Sequence, residues 1–159
     1  PEDAILAKTE GLKSALECLN QARYSIVWGV LGAAEACYDE ALKFVKNRVV
    51  FGQPLDSFQL IQKKFSQLAT KISLGQLLAL RLATLKENNK LHFSQVSMGK
   101  QHNAEMALEV SRMARDIMGA SAIMDECSVM RHMVNLESVF TYEGTNDIHH
   151  LIIGKKALQ

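Results

Sequence analysis

Tyr142, Glu143, Gly144, Thr145, Asn146, Asp147 and Ile148, followed by His149 and His150, set one carboxylate in a loop directly ahead of a helix start. Thr145 is the natural N-cap, its hydroxyl able to accept one of the backbone N–H groups that a first helical turn leaves unpaired. The partial positive charge of that helix end attracts an electron-rich group. Gly144 allows a backbone approach that a side chain would block. Glu143 is therefore placed to act as a base. Read locally, it is more simply a solvated loop acid, and the rest of the chain has to separate the two readings.

Other groups offer less. His149 and His150 are adjacent, so on a helix they point about 100° apart and cannot share a metal on one face. No His-x-x-x-His or Glu-x-x-His spacing exists, and no metal site is expected. Ser111, Ser121 and Ser128 lack a nucleophile-elbow context, and the seven methionines are spaced as core fillers. Arg48 follows the last turn of a long helix, beside Phe51, Gly52 and Pro54. Fixed by its neighbours it would suit a pyrophosphate; left mobile it would complement the helix dipole, which spacing alone favours. Arg23 stands three residues after Asn20, both polar amid Leu19, Ala22 and Ile26. They read first as a partly buried pair, and otherwise as groups that hold a carboxylate or carry a ligand contact.

The positioning elements are helical. The chain has 159 residues, 48% of them hydrophobic, and only two prolines, Pro1 and Pro54, so long stretches lack helix breakers. One all-α domain follows. A net charge of +1 gives no footprint for nucleic acid or an anionic membrane. Cys18, Cys37 and Cys127, with no Cys-x-x-Cys pair, read as buried thiols in a reducing compartment. The longest apolar run, Ile26 to Ala34, is well short of the roughly 20 residues of a membrane span. Residues 1–10 carry little periodicity and read as the tail of a missing upstream domain, with residues 11–159 as the helical domain. No signal peptide is evident, and a targeting signal upstream stays open.

From Gly11 to Asn47 the apolar residues recur at steps of three and four, predicting one helix of about ten turns, its middle apolar nearly all round. Gly52 and Pro54 should end it in a turn. A second helix is expected from Asp56 or Ser57 to Glu87, burying Phe58, Ile61, Phe65, Leu68, Ile72, Leu77, Leu80 and Leu85. Asn88, Asn89 and Lys90 break it. A third runs from Ser94 to Met118 on Val96, Met98, Ala104, Ala107, Val110, Met113, Ala114 and Ile117, closed by Gly119. A short helix from Cys127 to His132 and a last one from Asn146 to Leu158 complete an up-and-down four-helix bundle with no strand pattern.

Motifs in order then give the chain a resemblance. Arg48, Val49, Val50, Phe51, Gly52, next Phe58 and Gln59, and last Tyr142, Glu143, Gly144, Thr145 match the C-terminal domain of the acyl-CoA dehydrogenase flavoprotein family, from about Leu16 to Leu158. Within it, Cys18 to Tyr24, Trp28 to Gly32, Leu60 to Lys64 and Asp147 to His149 are most similar to glutaryl-CoA dehydrogenases. The resemblance implies a four-helix bundle that packs against an N-terminal helical domain and a small β domain in the whole enzyme. It implies Glu143 as the base that takes the α-proton of an acyl-CoA while hydride leaves the β-carbon for FAD. It implies Gly144 as backbone donor to the thioester carbonyl, Leu19, Asn20 and Arg23 as CoA-side contacts, and Tyr142 as a wall of the acyl pocket.

FAD in this family is gripped across a subunit interface, and Arg48, Phe51, Phe58 and Gln59 match residues that reach a neighbour's cofactor. Asp116, Ile117, Met118, Gly119 and Ala120 match the flavin-contacting end of the third helix, and Thr145, Asn146 and Asp147 the cap over the cofactor. The family's paired glycines with a third soon after become Gly119, Ala120, Ser121, Ala122 here, whose added Cβ atoms would crowd the adenine side. Further implications are a homo-oligomer, a dimer of dimers, an electron-transfer flavoprotein as acceptor, and a place in fatty-acid or amino-acid catabolism. The site would be the mitochondrial matrix in a eukaryote and the cytoplasm otherwise. The 159 residues alone are expected to show no turnover. The contrasting reading is a helical assembly module without chemistry.

Overall fold

The computed structural model describes residues 4, 7–9 and 11–159, so most of the proposed N-terminal tail lies outside the described residues. Five α-helices carry the fold: α1 Gly11–Asn47, α2 Gln59–Glu87, α3 Phe93–Met118, α4 Ser128–Thr141 and α5 Asn146–Ala157. α1 and α3 form the broad central contact, α2 and α4 pack on them, and α5 lies on α3. The architecture is the expected up-and-down bundle, with the expected last helix, α5, packed on α3.

Its middle is drawn tight by small residues and one buried amide. A Cβ on Gly99 would collide with the Leu82 side chain and stand 3.0 Å from Val27 Cγ2, so glycine here lets α3 approach α1 and α2 without displacing them. A turn further along, Asn103 is fully buried, and its Nδ2 donates to the carbonyls of Val27 (3.0 Å) and Gly75 (3.2 Å), tying all three helices together. Core packing elsewhere is aliphatic, from Val30, Ala34, Cys37 and Ala41 on α1 to Ala107, Val110 and Ala114 on α3.

The structure departs from expectation at several points. α4 reaches Thr141, well beyond His132, because no Gly or Pro interrupts it and Val129 and Leu136 are buried at helical spacing. Its N-terminus is capped from α1: the Glu40 carboxylate accepts from the Ser128 backbone N–H (3.0 and 3.1 Å) and from its hydroxyl. The turn after α1 is a two-stranded hairpin, β1 Val49–Val50 with β2 Gln53–Pro54, too short for any alternation in sequence to report it. Phe51 and Gly52 form its tip at φ 51° and 79°, so Gly52 serves the hairpin rather than the helix end. α3 begins one residue early, at Phe93, in a capping box between His92 and Gln95. Thr145 is the N-cap of α5 by backbone alone; its hydroxyl makes no capping bond.

Burial is also less complete than the apolar pattern suggested. Cys18 is exposed and Cys127 half-buried, leaving Cys37 as the one enclosed thiol among the three. Trp28, Gly29 and Gly32 on α1, Met98 on α3 and Leu77 and Leu80 on α2 face outward. α2 is apolar on two sides, and by length and composition alone it is apolar enough to cross a membrane, which the count of consecutive apolar residues had not revealed. Its inner side buries Leu68, Ile72, Ala79 and Leu82 in the bundle, while Leu60, Leu74, Leu77 and Leu80 form an outer row.

Candidate active site

The turn between α4 and α5 is held by two side-chain bonds to its backbone and by two consecutive positive-φ residues. Glu143 has φ 54° and Gly144 φ 101°. The left-handed region costs a non-glycine residue about 1 kcal/mol or more, so something must hold Glu143 there. Two cations do. Arg23 Nε donates to the Glu143 carbonyl at 2.7 Å, and Lys100 Nζ donates to the Gly144 carbonyl at 2.9 Å and more distantly, at 3.5 Å, to that of Phe140. A Cβ on residue 144 would come within 3.2 Å of both Arg23 Nη2 and His149 Nε2. Glycine is thus required twice over, by backbone angle and by crowding.

Beneath the turn the environment is buried and cationic. One carboxylate oxygen of Glu143, Oε2, is buried without a hydrogen-bond partner, as are Asn146 Oδ1 and both ring nitrogens of His149. Lys100 and His149 are fully buried. Burial, and next the charges of Lys100 and Arg23, push His149 down to about 4, so its ring is neutral at pH 7. Burial, and next the Arg23 charge, push Lys100 down to about 8, opposed by the nearby Glu143.

The histidine makes stability pH-dependent with a defined sign. Between its unfolded value of 6.5 and its folded value near 4 only the unfolded chain binds the proton, so stability must fall as pH drops through that window. The expected loss is roughly 2–3 kcal/mol. Denaturant titrations from pH 7 to 4 should show it, and His149→Gln should flatten the upper part of the slope, above the range where carboxylates titrate.

Tyr142 opens the turn onto an apolar pocket of about 490 Å³ between α1 and α4, walled chiefly by Ile26, Val30, Ala33, Leu136 and Val139. His132, Asn135 and Ser25 are its polar members. Leu19 and Asn20 are half-buried on α1 within a turn of Arg23. Of the residues expected around the base, the structure therefore gathers Arg23, Tyr142, Glu143, Gly144, Thr145 and Asn146. Thr145 and Asp147 are exposed at the start of α5.

The remaining expected cofactor residues lie at the opposite end of the bundle. Arg48, Phe51, Phe58 and Gln59 flank the hairpin, with Phe51 and Phe58 in an edge-on ring pair at 6.4 Å. Asp116 is brought to the same end by a 2.5 Å salt bridge to Lys64. Along α1, Arg48 stands 25 residues beyond Arg23, about 38 Å at the helical rise. One chain cannot close both groups on one flavin. Arg48 has no carboxylate partner among the described residues, and Phe51 is 93% exposed, so this end presents a cation and an open aromatic face, chemistry that fits a phosphate and a ring. Ile117 and Met118 are buried core residues and offer backbone only. The departure from the family's glycines is partly absorbed: the Ala122 methyl is fully buried in the core, Ala120 is exposed, and the space around Gly119 (φ 60°) is open.

Lys100, Asn103 and the burial of His149 were missed from sequence. Lys100 follows Val96 by four and precedes Ala104 by four, so a charged residue at a core phase was the available signal. Among the described residues no three His, Cys, Asp or Glu side chains gather as a metal site.

Fold and site together define a helical domain in which a glutamate held by its backbone follows a tyrosine that lines an apolar pocket. The family model for the acyl-CoA dehydrogenase C-terminal domain matches residues 9–158, and the chain belongs to the acyl-CoA dehydrogenase family. It is 45% identical to the glutaryl-CoA dehydrogenase of Mycobacterium smegmatis, with a TM-score of 0.95 over 99% of this chain and 41% of that one. A glutaryl-CoA dehydrogenase from the same organism in complex with FADH2 is 41% identical, with a TM-score of 0.91, over 94% and 39%. The human mitochondrial short-chain specific acyl-CoA dehydrogenase is 33% identical across 100% of this chain and 39% of that protein. The chain thus spans about two-fifths of the length of these relatives.

Proposed function

We propose that this chain is the base-bearing domain of an FAD-dependent acyl-CoA dehydrogenase and that its substrate is glutaryl-CoA or a similar short acyl-CoA. The observation that carries this is the Glu143 carboxylate: one oxygen buried without a partner, the backbone pinned by Arg23 and Lys100, directly after Tyr142, which lines the apolar pocket between α1 and α4. FAD, when bound, supplies the acceptor for the hydride that leaves the β-carbon. Glu143 takes the proton from the α-carbon as that C–H bond breaks, and the two carbons become an alkene. The backbone N–H of Gly144 faces the thioester carbonyl and stabilises the negative charge that grows on its oxygen. Tyr142, Ile26 and Val139 exclude water from the acyl chain.

Arg48, Phe51, Phe58 and Gln59 would reach the FAD of a neighbouring subunit, and Thr145, Asn146 and Asp147 that of their own. The separation of the two groups along α1 supports a homo-oligomer, and the outer leucines of α2 support a second contact, hence a dimer of dimers. An electron-transfer flavoprotein as acceptor, and residence in the mitochondrial matrix or in a bacterial cytoplasm, accord with the family and with the mitochondrial relative. Glutaryl-CoA is favoured over butyryl-CoA by the 45% identity to the mycobacterial enzyme.

A panel of acyl-CoA substrates given anaerobically to the whole protein, with products identified by mass, tests this reading. The expected result is preferred bleaching of the flavin by glutaryl-CoA with loss of carbon dioxide. Faster bleaching by butyryl-CoA with a simple enoyl-CoA product would overturn the substrate, and no bleaching by any acyl-CoA would overturn the activity.

A further inference from the structure

We infer that Lys100 is a positioning residue for the Glu143–Gly144 turn: from beneath, its ammonium holds the Gly144 carbonyl, so that with Arg23 on the Glu143 carbonyl both peptide planes have one orientation. The inference deepens the dehydrogenase reading above and rests on it for the catalytic consequence. Lys100 is fully buried and forms no salt bridge among the described residues. A lysine enclosed in that way is costly unless its hydrogen bonds repay the lost water, and the bonds it makes are to backbone carbonyls at the end of α4 and in the turn. The shorter of these, 2.9 Å, goes to Gly144 rather than to the last turn of α4. A role limited to capping α4 would reverse that order, since a helix cap needs only the carbonyl of Phe140.

Position explains why the chain keeps a charge there. Consecutive carbonyls, of Glu143 and Gly144, are each held by a different cation from a different helix, Arg23 on α1 and Lys100 on α3. The two bonds hold successive peptide planes, Arg23 that of Glu143–Gly144 and Lys100 that of Gly144–Thr145, so the backbone on both sides of Gly144 is anchored. That fixes where the Gly144 N–H points and where the Glu143 side chain departs. His149 fills the space beside Gly144, and although the Gly144 backbone favours its charged form, burial and the neighbouring cations keep the ring neutral, so it does not supply the charge of either cation. Without Lys100 the Gly144–Thr145 peptide is free to rotate away from its strained setting, and the base and its oxyanion donor lose their common alignment. Misplacement of reacting groups by about 1 Å can cost roughly 10²-fold in rate.

The test uses the whole flavoprotein. Lys100→Met is expected to bind FAD and acyl-CoA as the wild type does but to lower the limiting rate of anaerobic flavin reduction by roughly 10²-fold. Lys100→Gln, which keeps one N–H for the Gly144 carbonyl without the charge, should lie between the two. Hydrogen exchange followed by mass spectrometry should show the 142–146 backbone protected in the wild type and exposed in Lys100→Met. An unchanged limiting rate in a folded variant overturns the inference, as does a wild-type turn that exchanges like a free loop, a result available even if neither variant folds. If the wild type itself is not reduced by acyl-CoA while the turn is protected and loses protection in Lys100→Met, the dehydrogenase reading fails and the clamp stands.

Discussion

Glu143→Gln in the whole protein is expected to leave the yellow flavin bound and to slow its bleaching by acyl-CoA by roughly 10³-fold, the middle of the range for removing a general base. The substitution is unusually clean at this position. The turn is anchored through the backbone carbonyls of Glu143 and Gly144 and not through the carboxylate, so the amide inherits the same φ and the same clamps. The buried Oε2 accepts no hydrogen bond whose loss would disturb the fold. Flavin content, melting temperature and acyl-CoA affinity should therefore stay near those of the wild type while proton abstraction fails. Stopped-flow absorbance at the flavin maximum under anaerobic conditions reads the rate directly. Wild-type bleaching in this variant would remove Glu143 from the reaction.

How much of this was legible beforehand depended on whether the deciding interaction was local. The breakers at Asn88–Lys90 and Gly119 placed the helix ends because the required backbone angles are properties of those residues, with Asn89 at φ 55° and Gly119 at φ 60°. The order Tyr-Glu-Gly-Thr marked the turn for the same reason, since positive φ at Gly144 is written into a glycine. The anchors were not legible, because they arrive from far away: Arg23 is 120 residues from Glu143, and Lys100 is 44 from Gly144. The cap of α4 is another long-range bond, from Glu40 across 88 residues to the helix start at Ser128. In sequence, His149 and His150 present themselves only as an adjacent pair that cannot share a metal. The finding that matters is that His149 is enclosed and neutral, and a sequence gives no direct sign of enclosure. The division of the cofactor residues between two ends was within reach, since the length of α1 already separates Arg23 from Arg48 by more than one dinucleotide can bridge.

Arg23 is where expectation and structure assign different work to one side chain, and a single variant separates them. Its motif position implies a contact to CoA, whereas the structure commits its Nε to the Glu143 carbonyl at 2.7 Å. That carbonyl belongs to the same peptide unit as the Gly144 N–H. A guanidinium drawing electron density from the oxygen makes the N–H at the other end a stronger donor, so Arg23 would act on the thioester through the backbone. Arg23→Met is accordingly expected to lower the limiting rate of flavin reduction by about 10²-fold, the lower end for losing an oxyanion donor, because the donor is weakened and not removed. Arg23→Lys should recover part of the rate through its charge but not all, since an ammonium lacks the fixed planar geometry of the guanidinium. Rapid-reaction measurements over a range of acyl-CoA concentrations give the limiting rate and the dissociation constant separately. A fall in the limiting rate at unchanged affinity assigns Arg23 to the turn. Weaker acyl-CoA binding at an unchanged limiting rate would return it to the CoA contact and leave Lys100 as the sole cation holding the turn.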